Sequence, residues 1–580
     1  MSYDNHPKLD RGRFPVDQWR LVDRMYDAAD LGHTETLFTV GNGYLGMRGN
    51  PEEGRDAYVH GTFINGFHET WPIRHAEAAY GFARTGQTIV NVPDAKLIKL
   101  YVDDEPLIVG TAELESYERT LDFRDGVLRR SLIWRTPSGK RVLVESTRMV
   151  SMTQRHLAVL TLEVTMLDGD APVVISSQLL NRQDGQDEYH VPTASMGEGT
   201  DPRKAVAFDQ RVLLPKAEHI GEDRMLLGYQ CARSRMTIAV AAHHTLETAD
   251  DHEVIRSGDE DLCKMAFRVE ARKGHTARLE KLVTYHTSRG VPVRELSDRC
   301  ERTLDRARRH AVGHYLQEQR AWWTRYWATS DVEVADEAIQ QAIRFNLFTV
   351  AQASARSDQH GVPAKGVSGS GYEGHYFWDT EVYLVPFLSF TQPDVARNLL
   401  HFRYRMLPAA RTRAREMAQT GALFPWRTIN GEEASAYYAA GSAQMHINAD
   451  IAYALMQYVG ITDDIGFLVR DGVDLLVESA RMWRELGFWR SNGESRTFHI
   501  HGVTGPDEYT TVVNNNLFTN VMARYNLEKA ALAVWRIREN HPTDYEKLVH
   551  RLDLREDEQT AWQECADGMA IPFDEQVTTW

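Results

Sequence analysis

The stretch Phe498-His499-Ile500-His501-Gly502-Val503-Thr504-Gly505-Pro506-Asp507-Glu508-Tyr509 decides how the second half of the sequence is read. Its Gly, Pro and Asp content argues against a helix or a central strand. It is also richer in aromatic and ionisable groups than an ordinary connector. It therefore reads as a long loop between two helical segments, Gly466 to Leu486 and Leu517 to Glu539. Long ordered loops between antiparallel helices usually carry function. His499, His501 and Glu508 flank the Gly505-Pro506 turn and offer proton chemistry, with Asp507 beside the last. Two readings follow. Glu508 is a general acid set against a sugar, or the stretch is a surface loop in which Asp507 caps the next helix.

Working outward, Asp331 to the end is mostly helical by apolar periodicity. The segments are Glu337 to Ser354, Phe377 to Phe390, Asp394 to Met406, Met445 to Val459, and the two already named. Gly- and aromatic-rich loops, Gly361 to Tyr376, Gly421 to Gly441 and Gly487 to Val513, lie between them. Paired helices with such loops at one end predict an α/α barrel. Upstream, Val291 to Arg325 reads as a linker helix with Leu304, Ala307, Tyr315 and Trp322 on one side. From Arg20 to Arg272 the pattern is short strands and turns. Strand candidates are Glu35 to Val40, Leu97 to Val102, Lys140 to Thr147, His156 to Val164 and Thr237 to Ala241. Asp103-Asp104 and Pro137-Ser138-Gly139 read as hairpin turns. The expected fold is therefore multidomain β + α. An N-terminal antiparallel β-sandwich covers 1–272, a helical linker 273–330 and a helical barrel 331–580.

The bulk composition narrows the partners. A net charge of −16 disfavours nucleic acid and anionic membrane. Cys231, Cys263, Cys300 and Cys565 show no CxxC spacing and read as reduced thiols without a structural zinc site. Met1 to Asp17 is polar and lacks the apolar core of a signal peptide, and no window of about 18 apolar residues exists. A cytoplasmic location is the expectation. Two stretches match GxGxxG, Gly41 to Gly46 and Gly369 to Gly374. A dinucleotide site needs a strand, a tight turn and a helix start. The first runs into Arg48-Gly49-Asn50-Pro51 and the second follows a polar loop, so neither fits. There is no HExxH, no paired Cys/His spacing and no GKS or GKT loop, so neither a metal nor a nucleotide cofactor is expected.

Two stretches carry binding chemistry beside the Glu508 loop. Trp378 and Asp379 close a glycine-rich loop: the ring can stack on a pyranose face, and the carboxylate can accept from two sugar hydroxyls. The structural alternative is a helix start whose acids favour the positive end of the dipole. The second stretch, Ala422 to Glu433, gathers Trp426, Arg427, Asn430, Glu432 and Glu433 and leads to His446. Trp426, Glu432 and His446 are candidates for an acceptor sugar. The alternatives are a solvated loop and a helix-start core histidine. Cleaving a glycosidic bond needs a carboxylic acid for the leaving oxygen, and burial of Glu508 among aromatics would keep it protonated near neutrality.

At these residues the sequence resembles glycoside hydrolase family 65. Gly361 to Pro386, Gly421 to Tyr453 and Thr504 to Asn520 resemble its central domain. Glu35 to Asn50 and His60-Gly61-Thr62-Phe63-Ile64-Asn65-Gly66-Phe67 resemble its N-terminal sandwich. The family contains maltose, trehalose, kojibiose and nigerose phosphorylases and related α-glucoside hydrolases. The resemblance implies a β-sandwich, a helical linker and an (α/α)6 barrel. It makes Glu508 the general acid and Trp378-Asp379 the substrate-binding pair. Inorganic phosphate would be the nucleophile and co-substrate, attacking the anomeric carbon from the opposite face. An α-linked glucose disaccharide would then give β-glucose 1-phosphate with inversion. A hydrolase of the family would instead use a carboxylate base to activate water. The resemblance also raises a homodimer.

One departure shapes the expectation. The family's phosphate-binding residues lie beyond its acid, in the last barrel helices, and only 72 residues follow Glu508 here. Twelve helices with loops need roughly 300 residues or more. The barrel is therefore expected to be incomplete and the protein to be truncated at its C-terminus. A non-catalytic sugar-binding fragment stands as a further alternative.

Overall fold

The computed structural model describes residues 9–573 except 55, 56, 76, 78, 183–210, 355, 494 and 510. Its N-terminal part holds three antiparallel sheets. The nine-stranded sheet runs Arg20–Asp23, Glu113–Asp122, Val127–Arg135, Arg141–Val150, Leu157–Met166, Thr276–Ser288, Thr237–Glu247, Arg224–Cys231 and Leu213–Ile220. A five-stranded sheet (His252–Gly258, Leu262–Ala271, Ala171–Leu180, Ile98–Val102, Glu105–Pro106) faces it across one apolar core. The four-stranded sheet is Val40–Gly41, Leu45–Met47, Thr62–Pro72 and Thr85–Asn91. Alternation sets the faces: along Val127–Arg135, buried and half-buried positions mostly alternate, as a strand covered on one side requires. Leu157 to Leu162 are buried on both faces. The second face is covered by the helix Val293–Ala307, whose Val293, Leu296, Cys300, Leu304 and Ala307 recur at helical spacing.

Three strand and helix expectations change. Glu35 to Val40 is not a strand: Leu31–Leu37 is a helix, followed by the two-residue strand Val40–Gly41. The helix turns Glu35 inward, where its carboxylate accepts from the Tyr58 and Val59 amides at 2.8 and 3.1 Å and meets Arg48. A six-residue window could not register that buried partner set. The single linker helix is two, Val293–Ala307 and Val312–Ser330. The last strand of the nine-stranded sheet, Thr276–Ser288, lies wholly beyond residue 272, within the stretch expected as helical linker. The expected turn at Asp103-Asp104 is present, with both residues at positive φ (51° and 65°).

The C-terminal part is helical, and its long helices pack each on the next. Val385–Thr391 meets Pro393–Arg405, which meets Ile447–Thr462, then Val473–Leu486, then Leu517–Asn540, then Glu558–Asp567. This succession is consistent with an (α/α)6 barrel. Its apolar core is separate from that of the sandwich, yet the first helix, Glu337–Ala353, lends Phe348 and Ala351 to the sandwich side. The loop expected over Gly487 to Val513 contains a hairpin, Phe488–Asn492 with Ser495–His499, so the stretch from Phe498 to Tyr509 begins on a strand end. The terminal residues Glu575 to Trp580 lie outside the described residues.

Candidate functional site

The glycine-rich loop ending at Tyr376 is held from both sides. Tyr376 and Thr428 exchange backbone hydrogen bonds at 2.8 and 3.3 Å, which joins this loop to the next one. The Tyr376 hydroxyl donates to Asn65 Oδ1 at 2.7 Å, and Asn65 Nδ2 donates to the Gly361 carbonyl at 2.9 Å. Asn65 belongs to the sandwich strand Thr62–Pro72. Tyr372 and Glu373 adopt left-handed backbone (φ 50° and 59°), a conformation that costs a residue with a Cβ free energy and that the surrounding contacts must hold. The first GxGxxG stretch meets the loop just before the second. A Cβ on Gly46 would lie 2.0 Å from the Val367 carbonyl, so this glycine admits the loop's backbone.

Trp378 and Asp379 follow at the start of a π turn, Thr380–Leu384. Pro386 explains the turn. It has no N–H to give the carbonyl four residues back, and its ring would clash there, so the preceding turn widens. The turn sends Glu381 inward, where it takes two bonds from Arg403 at 2.7 and 2.8 Å, both side chains being buried. Asp379 is exposed, with no side-chain partner among the described residues.

The Trp378 ring stands edge to face with His446 at 4.9 Å and tilts against Phe518 at 6.2 Å. His446 donates from Nδ1 to Asp450 Oδ2 at 2.6 Å, and both side chains are fully buried. Burial pushes the Asp450 carboxyl above its ordinary range, with His446 opposing the shift. His446 Nε2 has no hydrogen-bond partner among the described residues. Asn448, just past His446, receives the Phe424 amide and donates to the Ala422 carbonyl, fixing the second loop to the same helix start.

In that second loop Trp426 is buried. Its ring meets Phe377 edge to face at 5.3 Å, and its amide donates to Glu433 Oε2 at 2.6 Å. Glu432 is exposed at the loop tip, hydrogen-bonded to Asn430. Arg427 pairs with Glu373 at 3.2 Å, and burial and this arginine drive the nearby His375 down to about 3.

The stretch carrying Glu508 docks on the residues just before His446. The Thr504 amide donates to the Ala443 carbonyl at 2.9 Å, and Gln444 Nε2 donates to the Gly505 carbonyl at 3.0 Å. Asn514, Asn515 and Asn516 tie its ends: Asn514 accepts from Gly502, Asn515 accepts from Ile500, and Asn516 caps the Thr519 amide. Two expectations are corrected. The cap of Leu517–Asn540 is Asn516, not Asp507. Glu508 is exposed, not buried among aromatics, and its carboxylate has no partner among the described residues: the chain leaves the interior after the buried Val503, Thr504 and Gly505, and Glu508 sits in the turn beyond Pro506.

The structure thus brings Trp378 and His446 into contact and docks the Glu508 loop beside them, while Asp379 and Glu432 face solvent and Trp426 sits in the core. A cavity of about 390 Å³ opens on the Asp379 side, lined also by Thr380, Tyr383, Lys365, Ser368 and Thr39. Trp378, Trp426, His446 and Glu508 do not line it. Sequence reasoning missed Asp450, Asn65, Phe518 and Arg403. His446 and Asp450 stand four residues apart on a helix, a legible spacing. Asn65 and Arg403 act across hundreds of residues or across helices and leave no local signal.

The four cysteines are buried and unbridged, and burial raises Cys231 and Cys263 to about 12. Among the described residues no group of His, Cys, Asp or Glu is arranged to hold a metal, and no helix is long and apolar enough to cross a membrane.

Two family models match: the glycosyl hydrolase family 65 N-terminal domain over 21–326 and its central catalytic domain over 344–579. An α,α-trehalose phosphorylase of Thermoanaerobacter brockii is 36% identical over 569 residues, covering 97% of this protein and 72% of that one. An uncharacterized glycosyl hydrolase of Mycobacterium tuberculosis is 38% identical over 566 residues, covering 97% and 69%. A solved human-microbiome protein, proposed to be a kojibiose phosphorylase, superposes with a TM-score of 0.86 at 21% identity, over 97% of this protein and 71% of its own length. Matching both family domains along nearly all its length, the protein belongs to glycosyl hydrolase family 65.

Proposed function

We propose that the protein cleaves an α-linked glucose disaccharide by inverting phosphorolysis, releasing β-glucose 1-phosphate and a free sugar. The observation that carries this reading is the convergence at one helix start. Trp378 packs on His446, and the loop bearing Glu508 is hydrogen-bonded to Ala443 and Gln444, immediately before it. The kinship with an α,α-trehalose phosphorylase supports it.

In this reading Trp378 and Asp379 hold the glucosyl unit, and Trp426, Glu432 and His446 shape the acceptor side. Phosphate forms the new bond to the anomeric carbon from the face opposite the leaving sugar. The glycosidic C–O bond breaks, and the leaving oxygen takes the Glu508 proton. No protein base is needed, since phosphate is already an anionic nucleophile at neutral pH. Glu508 is exposed in the free protein, where the leaving oxygen of a bound sugar can reach it.

The test is to incubate the protein with trehalose and, separately, kojibiose, with and without phosphate. β-Glucose 1-phosphate formed only with phosphate is expected. Free glucose released independently of phosphate would overturn phosphorolysis in favour of hydrolysis.

A further inference from the structure

We propose that Gln87, a residue of the N-terminal sandwich, is the positioning residue that sets the second site loop against the first. Gln87 lies mid-strand in Thr85–Asn91, with its side chain fully buried. Its Oε1 accepts from the Ile429 amide at 2.7 Å and the Asn430 amide at 3.2 Å. Its Nε2 donates to Asn430 Oδ1 at 2.9 Å. Its backbone carbonyl accepts from His375 Nε2 at 2.6 Å. One residue therefore holds the loop that ends in Trp378-Asp379 through His375 and the loop that bears Glu432 through Ile429 and Asn430.

The chemistry demands this side chain. Two converging amides need an oxygen with two free lone pairs, and Asn430 Oδ1 needs a donor on the same group; a primary amide supplies both. Two residues along the strand, on the same face, Ile89 backs Gly374, where an added Cβ would sit 2.6 Å from the Ile89 Cβ. The strand is thus a rigid template lying outside the helical domain, and a template on a strand places groups more precisely than a loop can.

The consequence for the sugar rests on the phosphorolysis reading. The loop that Gln87 pins is the acceptor side, so Gln87 governs where the acceptor sits and leaves the glucosyl side in place. In Gln87→Leu, the KM for the disaccharide should rise on the order of tenfold, as expected when buried hydrogen bonds are lost. The KM for β-glucose 1-phosphate in the synthetic direction should change less than about twofold. Gln87→Glu keeps an accepting oxygen but sets its second oxygen against Asn430 Oδ1, acceptor against acceptor, so it too should raise the KM for the disaccharide.

The experiment has an arm that needs no activity. Hydrogen exchange of the peptide spanning 427–433 should accelerate on the order of tenfold in Gln87→Leu. The helix Ile447–Thr462 should keep its protection. Unchanged exchange in 427–433 overturns the proposal, and so does an equal shift of both KM values. Where Gln87→Leu does not fold, the same exchange and KM measurements on Gln87→Glu decide it, an unchanged 427–433 peptide counting against it. If the wild-type protein makes no β-glucose 1-phosphate, the phosphorolysis reading fails while the exchange arm still decides Gln87.

Discussion

His446 and Asp450, one turn apart on the same helix, meet at 2.6 Å with both side chains sealed from solvent. Removing the carboxylate strands a buried imidazole N–H, which costs about 1–3 kcal/mol. Asp450→Ala should therefore lower the urea midpoint with an unchanged m-value. Because His446 is the surface on which Trp378 rests, quenching of tryptophan fluorescence by sugar should weaken in the same variant. A wild-type midpoint would remove the pair from any supporting role.

Glu508→Gln keeps the shape of the proposed acid and removes its proton. Turnover of an unactivated disaccharide should fall on the order of 10²–10⁴-fold, the usual contribution of general acid catalysis. Disaccharide binding by calorimetry should change little. Wild-type rates in this variant would exclude Glu508 as the acid.

Asp379→Ala should behave differently. Its exposed carboxylate is available for sugar hydroxyls, and hydrogen bonds to a charged group contribute about 1.5–3 kcal/mol. Both KM and kcat/KM should worsen by roughly 10–100-fold, a loss of binding as well as of turnover. Calorimetry with the disaccharide separates this from a purely catalytic defect.

Arg403→Met leaves Glu381 charged and buried without its partner. The expected cost is about 3–5 kcal/mol. Adding Glu381→Leu should recover much of it, so the double variant should be more stable than Arg403→Met alone. Thermal unfolding of the three proteins reads this directly.

Acid should destabilise the sandwich through a histidine pair. His156 and His286 stack at 4.0 Å, and burial first, then Arg155 for His156 and His156 for His286, lowers them to about 4 and about 3. Both are neutral in the fold and bind protons more readily when unfolded. Their contribution is full above about pH 6.5 and is lost as pH falls through about 4 for His156 and about 3 for His286. Denaturant unfolding at pH 7 and pH 5 should show the drop, and His156→Gln should reduce it.

Much of the architecture is legible in the sequence because periodicity reports burial. The helices Val293–Ala307 and Leu517–Asn540 and the strands Arg141–Val150 and Leu157–Met166 repeat their apolar positions over many residues. Leu31–Leu37 escapes this reading because so short a run fits either period, and what chooses the helix is Glu35 reaching amides more than twenty residues away. Trp378, Asp379 and Glu508 are legible as residue types in unusual loops. Exposure is not: the outward path of the Glu508 loop depends on where Ala443 and Gln444 hold it, and that is tertiary.

The π turn at Thr380–Leu384 makes segment length itself a determinant of the site. Such a turn carries one residue more than an α-helix needs. Deleting a single residue there would let the helix close up in regular register, with Val385 and Leu388 still seated in the core. Every side chain before the turn would then swing by about 100° around the axis. Asp379 would point elsewhere with its identity untouched, a change that no scan of substitutions could reveal and that only an insertion or deletion would expose.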